Sequence, residues 1–419
     1  MKIKTAILIV MVLLFGKTQA QDILTLDTVF QQIQKENPNL KMFDAQIRSQ
    51  DEAAKGVRNW DAPEIGAGLW MTPYNTRYWK ADETTGATGM GQFMISAQQM
   101  FPNTRKQHAE AKYMEAISSV DKEKKKASLN EFYASAKKNY YEWIIIKKKL
   151  HRINENENLL NFMIKNAEIR YKYGQEKLSA YYKAKAASGN LQNMRLMLEN
   201  QIKQKQVALN TLMNRDKLTS FDIDTAYQIK NYSIAPFDSV NAISERSDIK
   251  AVEKEIQVTL LQQEMEKAKL KPEFGVVYNH MFGFGGLPSQ YTLMGTVKLP
   301  MVKWASKTTK ANAESLKWKS EALAQQKQML VNDITGMAYE MKNEIDLKQK
   351  QIKLFENNII PALKKNYQII QLGYEQNTEQ LFTLYDAWET LNMTQLDYLD
   401  QLQQLLVMQT ELERILEIK

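Results

Sequence analysis

Two stretches of this sequence, half a chain apart, are written in the same way. Asp61-Ala62-Pro63-Glu64-Ile65-Gly66 returns as Leu270-Lys271-Pro272-Glu273-Phe274-Gly275, and Met100-Phe101-Pro102 returns as Lys298-Leu299-Pro300. Tyr171-Lys172-Tyr173-Gly174 with Leu178 and Ala184 returns as Tyr374-Glu375-Gln376-Asn377 with Leu381 and Ala387. The offsets are 209, 198 and 203 residues, which is what duplication of a unit of about 200 residues leaves behind. The organisation read from this is a signal peptide at 1–20, a first repeat at 21–215, a linker at 216–238 and a second repeat at 239–419.

Glycine and proline are sparse and bunched, so long helices are expected between a few irregular zones. Each repeat reads as helix, β-hairpin, very long helix and return helix. The expected helices are 26–58, 103–171 and 178–213 in the first copy, and 239–270, 303–373 and 379–417 in the second. Their apolar residues step by sevens: Leu129, Ala136, Trp143, Leu150 and Ile146, Ile153, Leu160, Ala167 in the first long helix. In the second they are Leu316, Leu323, Leu330, Met337, then Ile345, Ile352, Ile359, and in the last helix Leu384, Leu391, Tyr398, Leu405, Leu412. An average period of 3.5 residues means coiled-coil packing. Gly174 and Asn377 stand where each long helix must turn back, and these two residue types most readily take the left-handed conformation that ends a helix.

The segments 64–72, 90–99, 273–281 and 291–299 read as strands, each long enough for a tilted transmembrane β-strand. Four strands cannot close a barrel, and open edges in lipid leave backbone groups unpaired at several kcal/mol each. Identical chains must then supply the rest, and three chains give twelve strands. Trp70, Tyr78 and Tyr291 are the candidates for an interfacial aromatic belt. The fold class is thus α+β: mostly long coiled-coil helices, four transmembrane strands per chain, and an internal two-fold repeat. A periplasmic structural coiled coil with soluble hairpins and no channel activity is the alternative.

The address agrees with a membrane destination. Lys2 and Lys4 precede an apolar run from Ala6 to Phe15 and a stretch ending Thr18-Gln19-Ala20, the pattern of a secretory signal peptide. Cysteine is absent, which removes disulfides, thiol chemistry and a lipid-anchored cysteine. The formal charge of +8 includes three lysines of that leader, and the basic runs at 122–126 and 147–149 lie on helices that also carry acids. Solvated helix faces explain them, and no nucleic-acid partner is expected.

Enzymatic readings find no site. His108, His151 and His280 are far apart and in no metal-ligand pattern, and there is no nucleophile elbow or P-loop. No catalytic residue, cofactor or metal is expected. The 21 methionines admit thioether ligation of a soft ion such as Cu(I), but methionine is also an ordinary helix former and core filler.

In Leu24-Thr25-Leu26, Asn37-Pro38-Asn39-Leu40, the Pro63 and Pro272 strand starts, Phe101-Pro102 and Leu299-Pro300, and the Tyr-x-x-Gly tip followed by Leu and Ala, the chain resembles the TolC-like outer-membrane efflux family over nearly its whole mature length. The resemblance implies a homotrimer with a twelve-stranded β-barrel in outer-membrane lipid and a long periplasmic extension, a twelve-helix tunnel or α-barrel. It further implies a periplasmic adaptor (membrane fusion) protein and an inner-membrane pump as partners, in tripartite efflux or type I secretion. It implies that acidic residues beyond the second hairpin tip line a periplasmic gate. Here Asp386 keeps one such position, Thr383 departs from the other, and Lys183 occupies the site equivalent to Asp386 in the first copy, placed to pair with it. The hairpin tips, Tyr171, Gly174, Leu178, Tyr374, Asn377 and Leu381, are the expected adaptor-docking residues.

Overall fold

A computed structural model of the chain describes residues 23–232 and 243–418. The expected signal peptide and part of the expected linker lie outside the described residues. The chain forms two compact units, each drawn from both repeats: one comprises Phe43–Lys125 and Ser247–Val331, the other the residues up to Met42, Lys126–Arg246 and Asn332–Lys419.

The first repeat contains β1 (Ile23–Leu24), α1 (Leu26–Glu36), α2 (Pro38–Lys55), β2 (Glu64–Trp70), β3 (Gln92–Phe101), α3 (Thr104–Lys172) and α4 (Leu178–Leu212). After β4 (Asp222–Ile223) come α5 (Ser247–Ala268), β5 (Glu273–Gly283), β6 (Gln290–Lys298), α6 (Lys303–Leu354), a π-helical turn (Phe355–Ile359), α7 (Ile360–Glu375) and α8 (Leu381–Leu416). Helix α3 runs unbroken for 69 residues, containing neither glycine nor proline. Asn103 starts it by accepting the Arg105 amide at 3.0 Å.

Two expected helices are interrupted. The helix expected over 26–58 breaks at Asn37, whose extended backbone (ψ 125°) suits a residue before proline. Its side chain accepts from the Asn39 amide at 3.0 Å and donates to the Leu212 carbonyl at 2.9 Å, which ties the break to the end of α4. In the second long helix the buried heptad row Ala338, Ile345, Ile352 resumes as Tyr367 and Tyr374, with Ile360 partly buried between them. The step from 352 to 360 is eight. The π-helical turn inserts one residue, so Ile359, expected in the core row, is expelled to 39% exposure.

In the unit holding the strands, the sheet order is β2-β3-β5-β6 with every neighbouring pair antiparallel. The register aligns Ala67, Ile95, His280 and Tyr291 across the sheet. Side chains alternate between faces. One face carries Ile65, Leu69, Phe93, Ile95, Phe274, Tyr278, Phe282, Tyr291, Leu293 and Val297, all exposed. The other carries Ser96, Gln98, Asn279, Thr292 and Thr296 together with Met94, Met281 and Met294. From the Phe101 and Phe274 pair to the Phe93 and Phe282 pair is eight residues, about 26 Å along a strand. That is the scale of the apolar band on transmembrane barrels, about 25 Å.

In the other unit, one core is built from Val29, Ile33, Tyr140, Trp143, Leu209, Met213, Phe221 and Ile223. The parallel pairing of β1 with β4, Leu24 opposite Ile223, closes over it. Tyr140 Oη donates to the carbonyls of Leu24 and Asp224, both at 3.0 Å, and burial pushes its phenol up to about 12. A second core fills the coiled coil with Ile146, Ile153, Leu160, Ala167, Ala187, Leu191, Leu198 and Leu384.

Candidate gate at the hairpin tips

Both hairpins turn by the same chemistry. Gly174 (φ +71°) and Asn377 (φ +64°) take the left-handed conformation. The amides after them reach back five residues, Gln175 to the Arg170 carbonyl at 2.9 Å and Thr378 to the Gly373 carbonyl at 2.9 Å, as in Schellman closures.

Three contacts then fasten one hairpin to the other. Arg170 Nη2 donates to the Tyr374 carbonyl at 2.9 Å while its guanidinium lies 4.0 Å above the Tyr374 ring. Glu176 Oε2 accepts the Leu381 amide at 3.3 Å, capping α8, where the side chain of Gln380 makes no capping bond. Lys183 Nζ stands 2.7 Å from Asp386 Oδ1, with the rings of Phe382 and Tyr385 at 3.7 and 4.3 Å. Lys183 and Asp386 are thus brought together within one protomer, both partly exposed, whereas Thr383 is simply exposed. Burial and the acceptor Glu389 push the Tyr385 phenol beside them up to about 12.

The tip residues divide. Tyr171 and Leu178 are exposed, but Tyr374 and Leu381 are interior, at 2% and 1% exposure, because they occupy core positions of the second hairpin. Of the six expected tip residues, Tyr171, Gly174, Leu178 and Asn377 are exposed, and the neighbouring Tyr173 is exposed with them. Tyr374 Oη is buried with no hydrogen-bond partner. Tyr374→Phe is accordingly expected to leave thermal stability unchanged or raise it by up to about 1 kcal/mol, measured by calorimetry, since it removes a hydroxyl that folding desolvates for nothing.

Deeper in the coiled coil lies a polar layer that sequence reasoning missed. Asn156 Nδ2 donates to Asn392 Oδ1 at 2.7 Å and to the Arg152 carbonyl at 2.8 Å, and Asn156 Oδ1 accepts from Trp388 Nε1 at 2.7 Å. All three side chains are buried. The signal was present: Asn156 sits three residues after Ile153 and four before Leu160, a core position of the heptad. Trp388 and Asn392 also floor a groove of about 320 Å³ between α4 and α8.

Of the expected belt, Tyr78 and Tyr291 are exposed, Tyr291 on the apolar face. Trp70 is exposed too, and because it pairs with Gln92 it lies by alternation on the face opposite Tyr291.

A profile of the family described as outer membrane efflux protein matches residues 29–215, almost the whole first repeat. The first repeat thus matches the outer membrane efflux protein family. The remainder of the chain shares the fold of solved outer-membrane channels. The outer membrane protein VceC of Vibrio cholerae superposes with a TM-score of 0.73 at 16% identity, over 93% of this chain and 95% of its own. The Campylobacter jejuni channel CmeC gives 0.72 at 11%, over 93% and 85%. The open state of the Neisseria gonorrhoeae channel MtrE gives 0.69 at 14%, over 94% and 89%. At such identities the likeness is one of fold. No curated protein matches the sequence.

Proposed function

We propose that three copies of the chain form an outer-membrane exit duct for tripartite efflux or type I secretion, a passive conduit gated at its periplasmic end. The observation that carries this reading is the sheet. It has an exposed apolar face, a polar opposite face, and two unpaired edges, β2 and β6. Because β2 and β6 run in opposite directions, β6 of one copy can pair antiparallel with β2 of the next, and any number of copies closes into an all-antiparallel barrel. The family resemblance supplies the number three, hence twelve strands. No helix among the described residues is long and apolar enough to cross a membrane, so attachment falls to the strands.

On this reading Tyr78 and Tyr291 sit at the lipid interface, the polar face lines the lumen, and the exposed tip around Tyr171, Gly174 and Leu178 receives a periplasmic adaptor that links the duct to an inner-membrane pump. The three Lys183 to Asp386 pairs fasten the gate. The test is twofold: fractionation of cells producing the full chain, and conductance in planar bilayers. A heat-sensitive trimer in the outer membrane that conducts ions supports the duct. A soluble species without conductance assigns the chain to structural coiled coils.

A further inference from the structure

The two repeats differ in one mechanical respect. Helix α3 is unbroken, whereas its counterpart is cut by the π-helical turn Phe355–Ile359. In that turn the Ile360 amide bonds to the Phe355 carbonyl, five residues back, and Pro361 follows at once, with no N–H to return to Asn357. A π-turn is one extra residue in an α-helix, and it and proline are the recognised sites of helix bending. The heptad skip fits that count. Core residues step by seven up to Ile352 and by seven again from Ile360, with a step of eight between them. The inserted residue therefore does nothing for packing on either side: without it, the rows above and below would join into one heptad. It costs regular hydrogen bonding and expels Ile359, so packing does not account for it.

The turn is also fastened. Tyr398 Oη on α8 donates to Glu356 Oε1 at 2.7 Å, and the Tyr398 and Phe355 rings lie 6.4 Å apart. Burial and the Glu356 acceptor push the Tyr398 phenol well above its ordinary value, so it stays a donor at every physiological pH. Beyond the turn the hairpin of α7 and α8 is held to the first hairpin by the tip contacts of Arg170, Glu176 and Lys183.

We infer that Phe355–Pro361 is a built-in pivot, so that the distal part of the second hairpin bends as a unit while the first hairpin acts as a stiff strut. The inference rests on the gated-duct reading only for its consequence, not for the bending itself. When the tip contacts let go, the second hairpin moves at this turn rather than by uncoiling along its length.

The chain has no cysteine, so spin labels can be placed without background. Pulsed dipolar spectroscopy on the full-length protein compares two pairs of exposed sites 18 residues apart: K350C with Q368C across the turn, and H151C with I169C along α3. Both separations are about 27 Å in a straight helix. The expected result is a distance distribution about twofold broader across the turn, shifted to shorter values. Equal widths at both pairs overturn the pivot, with no variant of the turn required.

Deleting Asn358, which makes the heptad continuous, is expected to narrow the distribution to that of α3 and to reduce the frequency of open events in planar bilayers at least about tenfold, a barrier change of about 1.4 kcal/mol. A deletion variant that opens as often as the unmodified channel contradicts the pivot. If the unmodified protein forms no channel, the duct reading fails, and the label comparison still decides the pivot.

Discussion

Removing Lys183 and Asp386 together is expected to raise the open-to-closed ratio of the channel by about 3- to 150-fold. A partly exposed ion pair contributes about 0.2–1 kcal/mol, and a trimer holds three. If all three break on opening, the sum is about 0.6–3 kcal/mol, which converts to that range. Planar-bilayer recordings of K183A, D386A and the double variant measure it. The single variants should not add. Asp386→Ala leaves Lys183 seated against Phe382 and Tyr385, so most of the gain is expected only when the cation is removed too. Asp386→Ala should also weaken cation selectivity, since three carboxylates around one axis favour cations. Unchanged open probability and selectivity in all three variants would remove the pair from the gate.

The largest stability effect is expected at Glu413, far along α8 from the tips. Its carboxylate accepts from Lys137 at 2.6 Å, Lys230 at 2.5 Å and Tyr232 at 2.6 Å, and Lys137 is buried with it. Glu413→Ala strands the Lys137 ammonium in the interior and is expected to cost about 3–5 kcal/mol, read as a fall in the thermal midpoint. Joint replacement of Glu413 and Lys137 by apolar residues should recover much of that loss. Desolvation alone would raise the Glu413 pKa, but the hydrogen bonds from Lys137, Lys230 and Tyr232 outweigh it and hold the value below the ordinary 4.5. A depressed folded-state pKa contributes stability above the unfolded-state value, so this contribution is full above pH about 4.5 and is lost as pH falls below it. Acid unfolding followed by circular dichroism should show Glu413→Gln less sensitive to pH in that window than the unmodified chain.

Most of the helical frame was legible because it obeys a single period. The row Ile146, Ile153, Leu160, Ala167 is buried as its spacing requires, and Gly174 and Asn377 take the conformation their residue types favour. The period itself concealed the π-helical turn. Ile345, Ile352 and Ile359 keep the seven-residue step on paper, and only packing reveals that Ile360 holds the core place. Asn37 falls inside the helix expected over 26–58 because apolar spacing continues on both sides of it, although the Pro38 that follows favours a break. The pairing of β1 with β4 rests on two residues from each strand, too few for alternation to show.

At the hairpin tips, the duplication aligns Lys183 with Asp386, and the two side chains meet. Arg170 and Glu176 have no oppositely charged partner that the sequence would show, because each bonds a main-chain group of the other hairpin. Residue type alone suggests Trp70 for an interfacial belt, and its face of the sheet is set by register with Gln92, which only the paired strands define.

A closed barrel of several copies requires the open edges β2 and β6 to meet between copies, and crosslinking across that seam detects the contact. In a chain without cysteine, Ala67→Cys on β2 is combined in turn with Y291C, L293C or G295C on β6, residues that share its face of the sheet. Oxidation in native outer membranes, followed by denaturing electrophoresis, should give for at least one pair a ladder of covalent monomers, dimers and trimers that ends at three. A ladder extending past three, or monomers alone from every pair, would contradict the closed trimeric barrel.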